Sequence, residues 1–274
     1  MKTSNKLIIL FVALLYVVPL SAMLIDLRNY ENGDSKEDVV AQSKFSDDTK
    51  DFEAIQLKAQ SSELEVVGGK DINIYVTYVD SETPGIKYNS NMKENLKVTE
   101  GADGKVTVSF NENSSIQGFL SLYIYGKNLE NINMQNASSL GIEGVFSNLT
   151  VTASGLKRLS FSRESTVQQL VIKANEIGDV TLSGAIVSAN IDLKNGNLTW
   201  DGPSSKNVEF NLNNSNVQVG EDNNSDITFD NLKLTTLGKS EVKFEKVDIK
   251  SLSGSLSDST YINLPTYQLR KLMN

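Results

Sequence analysis

The sequence predicts an all-β protein whose main body is a parallel β-solenoid with coils of about 20 residues. Three observations predict it. Short apolar i, i+2 pairs follow one another along the chain, each pair ends in Gly, Asn, Asp or Ser, and the pairs recur at a nearly constant period. Because strand side chains alternate between faces, an i, i+2 pair points to one side, and turn-forming residues then end the strand. A fixed period containing two or three strands is typical of coils that stack to build one core.

An uncharged 19-residue segment, Leu7–Ile25, lies close to the start of the sequence. It is long enough to cross a hydrocarbon core of about 30 Å. Lys2 and Lys6 precede it, and the positive-inside tendency places such residues in the cytoplasm and the following chain across the membrane. We therefore predict that residues 1–28 hold an N-terminal transmembrane helix, a single-pass anchor that keeps the body in the periplasm.

A cleaved signal peptide, with export to the surface, is the alternative for this segment. The cut would follow Ala22, but Leu20 is large for a position that normally carries a small residue. The apolar run also continues beyond Ala22 to Ile25, which favours the anchor. Residues 29–51 then carry seven acidic and three basic side chains and no apolar period, which is typical of a solvated acidic tether.

Residues 52–117 are predicted to form a β capping unit ahead of the repeats. In the segment DINIYVTYV, Ile and Val alternate with Asn, Tyr and Thr, the pattern of a half-buried strand. Turn-forming residues such as Gly68-Gly69 and Pro84-Gly85 separate the strands. The predicted strands are Ile55–Ala59, Leu64–Val67, Asp71–Val79, Gly85–Tyr88, Leu96–Thr99 and Lys105–Phe110.

Residues 118–264 are predicted to form the solenoid repeats, and residues 265–274 a C-terminal cap or tail. The repeats contain the apolar pairs Leu149/Val151, Leu159/Phe161, Leu170/Ile172, Val180/Leu182, Ile191/Leu193, Leu198/Trp200, Phe210/Leu212 and Val217/Val219, with others on both sides. One residue per coil, taken as Leu149, Leu170, Ile191, Phe210, Leu232 and Ile249, gives spacings of 21, 21, 19, 22 and 17 residues. By parity with Leu198, the large ring of Trp200 is expected to face the core.

Two other folds remain open at this level. The segment VQQLVIKANEI fits a leucine-rich repeat, but the other half of each period, as in DVTLSG and NLTWDG, is strand-like where such repeats often place a helix. A sandwich of short strands is the second alternative.

The composition excludes several kinds of chemistry. The chain has no Cys and no His, so disulfides, thiolate zinc sites and Ser-His-Asp catalysis are excluded. The formal net charge is −8, which disfavours binding to nucleic acid. Asp222, Asn224 and Asp226 have the spacing of the start of a calcium loop but lack its later Gly and Glu. We therefore expect no cofactor and no metal site.

Two tyrosines are the candidate ligand-facing residues. Tyr123 and Tyr125 lie on the face of FLSLYIYG opposite Leu120, Leu122 and Ile124. On an outer wall they would form an aromatic platform for a glycan or an envelope protein. The alternative is that they pack against the capping unit.

Three aspartates give the enzymatic alternative. Asp179, Asp192 and Asp201 fall in successive strand units, and stacked acids on a β-solenoid wall could act as an acid/base pair on a polysaccharide. Neither a His nor an Arg cluster accompanies them. Exposed and turn positions also simply favour Asp, so we expect no catalytic residues.

The order of these features resembles the GIN-domain family, known as putative auto-transporter adhesin head domains of Gram-negative envelope proteins. The resemblance spans about Phe52 to Leu264. It is carried by FEAIQL, LEVVGGKDINIYV and NLKVTEGADGKVTVSF, then by repeated units such as IGDVTLSG and ANIDLKNGNLTWDG. It implies a right-handed β-helix and no catalytic residues.

The predicted function is therefore that of a non-enzymatic, extracytoplasmic domain with an adhesin-like or envelope-scaffolding role. Its expected partners are the membrane, through Leu7–Ile25, and glycans or envelope proteins, with no nucleic acid among them. A carbohydrate-active β-helix enzyme and a self-assembling structural solenoid are the alternatives.

Overall fold

Two large β-sheets account for most of the chain in the computed structural model, which describes residues 44–46, 51–111, 117–220, 226–264 and 268. Within 51–111, 117–220 and 226–264, the one helical element is a 3-10 turn, Ser90–Met92. The all-β prediction is confirmed. No helix among the described residues is long and apolar enough to cross a membrane, and the predicted anchor Leu7–Ile25 lies outside them.

The strands follow one another with short connections. In chain order they are β1 Phe52–Gln56, β2 Glu63–Val67, β3 Ile72–Asp80, β4 Gly85–Asn89, β5 Leu96–Glu100, β6 Lys105–Phe110, β7 Gly118–Gly126, β8 Asn131–Gln135, β9 Ser139–Glu143, β10 Val145–Ser154, β11 Arg158–Phe161, β12 Thr166–Asn175, β13 Asp179–Leu182, β14 Ala185–Lys194, β15 Asn197–Trp200, β16 Ser205–Asn213, β17 Asn216–Val219, β18 Ile227–Leu237, β19 Ser240–Phe244, β20 Val247–Ser255 and β21 Thr260–Asn263.

From β8 onwards the strands alternate between the two sheets. Odd-numbered strands β9 to β21 stack in one sheet, which we call sheet A, and even-numbered strands β8 to β20 stack in the other, sheet B. Every neighbouring pair among them is parallel. A coil is thus one long strand in sheet B, a corner, and one short strand in sheet A. This confirms the parallel β-solenoid and removes the leucine-rich and sandwich alternatives.

The start of the chain stacks in a different order from its sequence. Strands β2 and β3 pair with β8 and β9 on one side and with β6 and β7 on the other, all in parallel. Beyond them, β4 and β1 extend sheet A and β5 extends sheet B, all antiparallel. Strands from the predicted capping unit and from the predicted repeats therefore share the same two sheets. These antiparallel strands end the stack at this side.

The apolar pairs point into the space between the sheets. The pairs Leu170/Ile172, Val180/Leu182, Ile191/Leu193 and Leu198/Trp200 are all at most 1% exposed. Trp200 lies edge-on to Phe210 and Phe229, with ring centroids 6.3 and 5.3 Å away. The prediction that these residues face the core is confirmed.

The predicted alignment of the coils is wrong at three steps. Leu170 pairs with Ala189 instead of Ile191, Phe210 with Leu234 instead of Leu232, and Leu232 with Leu252 instead of Ile249. The true column Val151, Ile172, Ile191, Phe210 and Leu234 has spacings of 21, 19, 19 and 24 residues. Each sheet B strand has several inward positions of the same parity, so parity alone does not choose between them.

The six corners that lead from sheet B to sheet A between β8 and β19 each use a left-handed residue. These residues are Asn136, Gly155, Glu176, Asn195, Asn214 and Gly238, with φ between 50° and 66°. Asn and Gly adopt this conformation most readily, which explains why five of the six are Asn or Gly. Their amides join neighbouring coils: the N–H of Glu176 donates to the Lys194 carbonyl at 2.9 Å, and that of Asn195 to the Asn213 carbonyl at 3.0 Å. The corner is three residues long before β13 and two before β15, which shortens the coil.

Candidate functional site

The outer face of sheet B carries an uncharged polar row. One outward residue of each strand from β10 to β20 lies in register with the next: Asn148, Gln169, Ser188, Asn207, Asn231 and Ser251. The amide of Asn231 donates to Asn207 Oδ1 at 2.9 Å, and that of Asn207 to Ser188 Oγ at 3.3 Å. Since parallel strands repeat every 4.7–4.9 Å or so, the row offers amide and hydroxyl groups at about that spacing.

A second outward row runs beside the first, two residues further along each strand. It consists of Thr150, Val171, Asn190, Glu209, Lys233 and Ser253. Lys233 Nζ lies 2.7 Å from Glu209 Oε1, an exposed ion pair whose energetic value is small. Between the two rows lies a shallow groove of about 420 Å³, over Leu170, Ala189 and Val208. We call this the polar groove.

Sheet A carries a corresponding ladder on its own outer face. Its members are Ser139, Arg158, Asp179, Asn197, Asn216 and Glu241. The amide of Asn216 donates to Asn197 Oδ1 at 3.0 Å, and that of Asn197 to Asp179 Oδ1 at 3.4 Å. Such ladders of stacked amides hold neighbouring strands in register. The high Asn content of the repeats is therefore partly structural.

The two candidate tyrosines are buried under other side chains. Tyr123 and Tyr125 are on β7, 2% and 1% exposed. Tyr123 lies edge-on to Phe52 on β1, and Tyr125 edge-on to Phe45, each with centroids 5.5 Å apart. Lys87 Nζ on β4 lies 5.3 Å from the centre of the Tyr125 ring, a cation–π contact. This arrangement packs the pair against the residues before the repeats and presents no aromatic platform to solvent.

The three candidate aspartates do not stack on one another. Asp179 lies in sheet A, in register with Arg158 and Asn197. Asp192 lies in sheet B, in register with Lys173 and Asn211. Asp201 directly follows β15 of sheet A, where its N–H donates to the Leu182 carbonyl at 2.9 Å, so it is not in register with Asp179, which pairs with Asn197. In the part of the chain that the structure describes, no three acidic side chains meet as a metal site would need.

A second cavity, of about 400 Å³, lies where β3, β10 and the connection before β8 meet. Tyr78 and Phe146 form its floor with stacked rings 5.2 Å apart, and Asp80 and Glu130 are among its polar lining. Tyr78 Oη donates to the Gly126 carbonyl at 3.0 Å. Burial raises the pKa of the Tyr78 hydroxyl, which stays a neutral donor in this structural role.

Comparison with solved structures finds similar folds in bacterial proteins. A protein of Bacteroides fragilis named a "putative adhesin" aligns with 78% of this chain and 98% of its own, with a TM-score of 0.52 and 20% identity. A "putative adhesin" of Parabacteroides merdae aligns with 77% and 94%, with a TM-score of 0.51 and 14% identity. A "putative lipid binding protein" of Parabacteroides distasonis reaches a TM-score of 0.46 at 14% identity, covering 78% and 98%.

The likenesses to the Bacteroides fragilis and Parabacteroides merdae proteins show the fold. They give no ligand and no site residue. The sequence itself matches no protein-family model and no curated protein.

The sequence reasoning missed the polar groove, although a signal for it was present. Asn148, Gln169, Ser188 and Asn207 each directly precede an inward residue of the column that begins at Leu149. Aligning the coils on the inward residues would have placed these side chains in one row. The predicted candidates were aromatic and acidic residues instead, the groups most often found in binding and catalytic sites.

Proposed function

We propose that this protein is a non-enzymatic, adhesin-like binding protein that presents a β-solenoid outside the cytoplasm. The observation that carries the proposal is the polar groove on sheet B. It combines exposed donors and acceptors in a regular row with no acid pair on the same column. The fold shared with two proteins named as adhesins, of Bacteroides fragilis and Parabacteroides merdae, supports the same role. We also propose that the coil is right-handed, as the resemblance to the GIN-domain family implies.

The groove suits a ligand that is recognised through many weak polar contacts. Amide side chains both donate and accept, and hydroxyls do the same, so the row matches a surface rich in hydroxyl or amide groups. The groove is open and extends across β12, β14, β16 and β18, so an extended receptor segment could lie along the stack. Adhesion tolerates modest affinity at one site because many copies act together on a surface.

Asn207→Lys should weaken receptor binding about tenfold, because it replaces a donor–acceptor pair in the middle of the groove with a long cation. Asn216→Lys is the matched control: Asn216 is also an exposed ladder asparagine, but it lies in sheet A. The measurement is capture from envelope extracts and a glycan array by the purified protein. If both variants lost receptor binding equally, or if neither variant lost it, the groove would not be the binding site.

We further propose that Leu7–Ile25 remains attached as the membrane anchor and that residues 29–51 connect it to the solenoid. The support is the length of the uncharged segment and its preceding lysines. N-terminal sequencing of the membrane-bound protein should begin at Met1. A start at Met23 would show a cleaved signal peptide and a body released from this anchor.

A further inference from the structure

Two neighbouring aromatic rings lie on the outer face of sheet A, near the start of the stack, one exposed and one half-buried. Phe119 on β7 is 45% exposed. Its ring centre lies 6.4 Å from that of Tyr75 on β3, and the two ring planes differ by 28°. Single exposed apolar side chains are common, whereas neighbouring ones that form a patch often mark a binding site. We call Phe119 and Tyr75, with their polar neighbours Asn73, Ser139 and Glu143, the aromatic patch.

The Tyr75 ring is held in place by two neighbours on β9. Gly141 pairs with Tyr75 in register, and a Cβ at this glycine would collide with the ring. Tyr75 Oη donates to Glu143 Oε2 at 2.5 Å. The glycine gives the ring room over the sheet and the carboxylate fixes its direction, so the ring is oriented before any ligand arrives.

Hydrogen-bonding groups flank the two rings. Asn73 lies between Phe119 on β7 and Ser139 on β9 in one row of the sheet. Ser139 Oγ donates to Asn73 Oδ1 at 2.7 Å, which orients the Asn73 amide and leaves its Nδ2 as a donor. Glu143 uses Oε2 for Tyr75, so Oε1 is positioned as an acceptor beside the same ring. The patch therefore pairs aromatic surface with a fixed donor and a charged acceptor.

We infer that the aromatic patch binds a sugar ring, with Phe119 stacked on its C–H face and Asn73 and Glu143 bound to its hydroxyls. A pyranose offers this combination of an apolar face and a hydroxylated rim. A stable protein interface buries about 800 Å² on each partner, far more than two neighbouring rings provide. A lipid surface would have to desolvate Oε1 of the Glu143 carboxylate without giving that oxygen a donor. The inference rests on the proposed binding function and names a ligand class for it, at a face separate from the polar groove.

The test uses the full chain in a detergent without a sugar headgroup, with the methyl glycosides of glucose, galactose, mannose and N-acetylglucosamine as probes. Saturation-transfer NMR should show transfer from the protein to at least one glycoside, strongest at the protons of one ring face. Phe119→Ala should weaken that binding about tenfold. Tyr261→Ala is the matched control, because Tyr261 is 62% exposed on β21 of the same sheet, and it should leave binding unchanged.

Two results would overturn the inference: no transfer to any of the four glycosides, or equal binding by Phe119→Ala and the unaltered protein. A thermal melt of Phe119→Ala close to that of the unaltered protein shows that lost binding is not lost folding, as expected for a half-exposed side chain. Capture of an envelope protein without glycoside binding would refute this inference and leave the adhesin-like function standing. Glycoside binding that depends on Phe119 but not on Asn207 would support the inference, and the polar groove would still be tested by receptor capture with Asn207→Lys.

Discussion

Ile191→Asp should lower the free energy of unfolding by several kcal/mol, whereas Asp192→Ala, one residue further, should change it by about 0.5 kcal/mol or less. Ile191 is fully buried on β14, in register with Ile172 and Phe210. A carboxylate in its place would meet only apolar neighbours and would have no partner for its charge. The loss is a large part of the roughly 5–15 kcal/mol that holds a typical domain together.

Asp192 points the other way. It is exposed, and Asn211 Nδ2 donates to its Oδ1 at 2.8 Å. Removing one exposed hydrogen bond of this kind costs little because water replaces it. Leu193→Asp should behave like Ile191→Asp, since Leu193 is 1% exposed. Thermal and denaturant melts of the three variants provide the measurement.

The coil architecture determines how the damage spreads. Each coil packs only on its two neighbours, so a destabilised β14 weakens its contacts with β12 and β16 first. Hydrogen exchange should therefore show the earliest loss of protection in those strands. A stable Ile191→Asp beside an unfolded Asp192→Ala would mean that the inward and outward sets are exchanged.

The sequence was sufficient to predict which side chains face the core, because the alternation of side chains along a strand is a local property. Ile191, Leu193, Leu198 and Trp200 all face inward as their i, i+2 spacing predicts. The pairing of inward residues between neighbouring coils, in contrast, is not a local property. Leu170 and Ile172 are both inward, and only the lengths of the corners decide that Ile172 meets Ile191. The connection between β13 and β14 has two residues, against four between β11 and β12, and a pattern of short strands does not show this difference.

The order of the first coils could not be predicted from the sequence for a related reason. A strand pattern says that β6 and β7 are strands, but not that they stack on the far side of β2 and β3. Long-range pairing of this kind depends on the packing of the whole unit. Tyr123 and Tyr125 illustrate the consequence for the site. Their outward parity on β7 is correct, but Phe45 and Phe52 from earlier in the chain cover that part of the wall.

The aromatic patch was not predicted because its residues lie far apart in the sequence. Tyr75 and Phe119 meet only because β3 and β7 pair in parallel. Asn73 and Ser139 likewise become neighbours through the pairing of β3 with β9. The groups that face solvent together are thus set by the topology of the first coils, which the sequence pattern did not contain.

Trp200→Ala should be the most damaging truncation in the core, with an expected loss of about 3–5 kcal/mol in the free energy of unfolding. Trp200 is fully buried on β15 of sheet A, and its ring lies edge-on to Phe210 and Phe229, which belong to sheet B. Its Nε1 donates to the Pro203 carbonyl at 3.4 Å. The ring therefore connects the two sheets across the core and contacts two successive coils.

The cavity left by Trp200→Ala should collapse poorly, because stacked coils on both sides hold the sheets apart. Trp200→Phe keeps an aromatic ring and should cost clearly less. In a double-mutant cycle with Phe229→Ala, the coupling energy should be about 0.5–1.5 kcal/mol, the value of an edge-to-face pair. Phe119→Ala is the exposed control and should hardly move the melt, since its ring lies on the outer wall. If Trp200→Ala melted where Phe119→Ala does, Trp200 would not be joining the sheets, and the core between β15, β16 and β18 would have to be packed in another way.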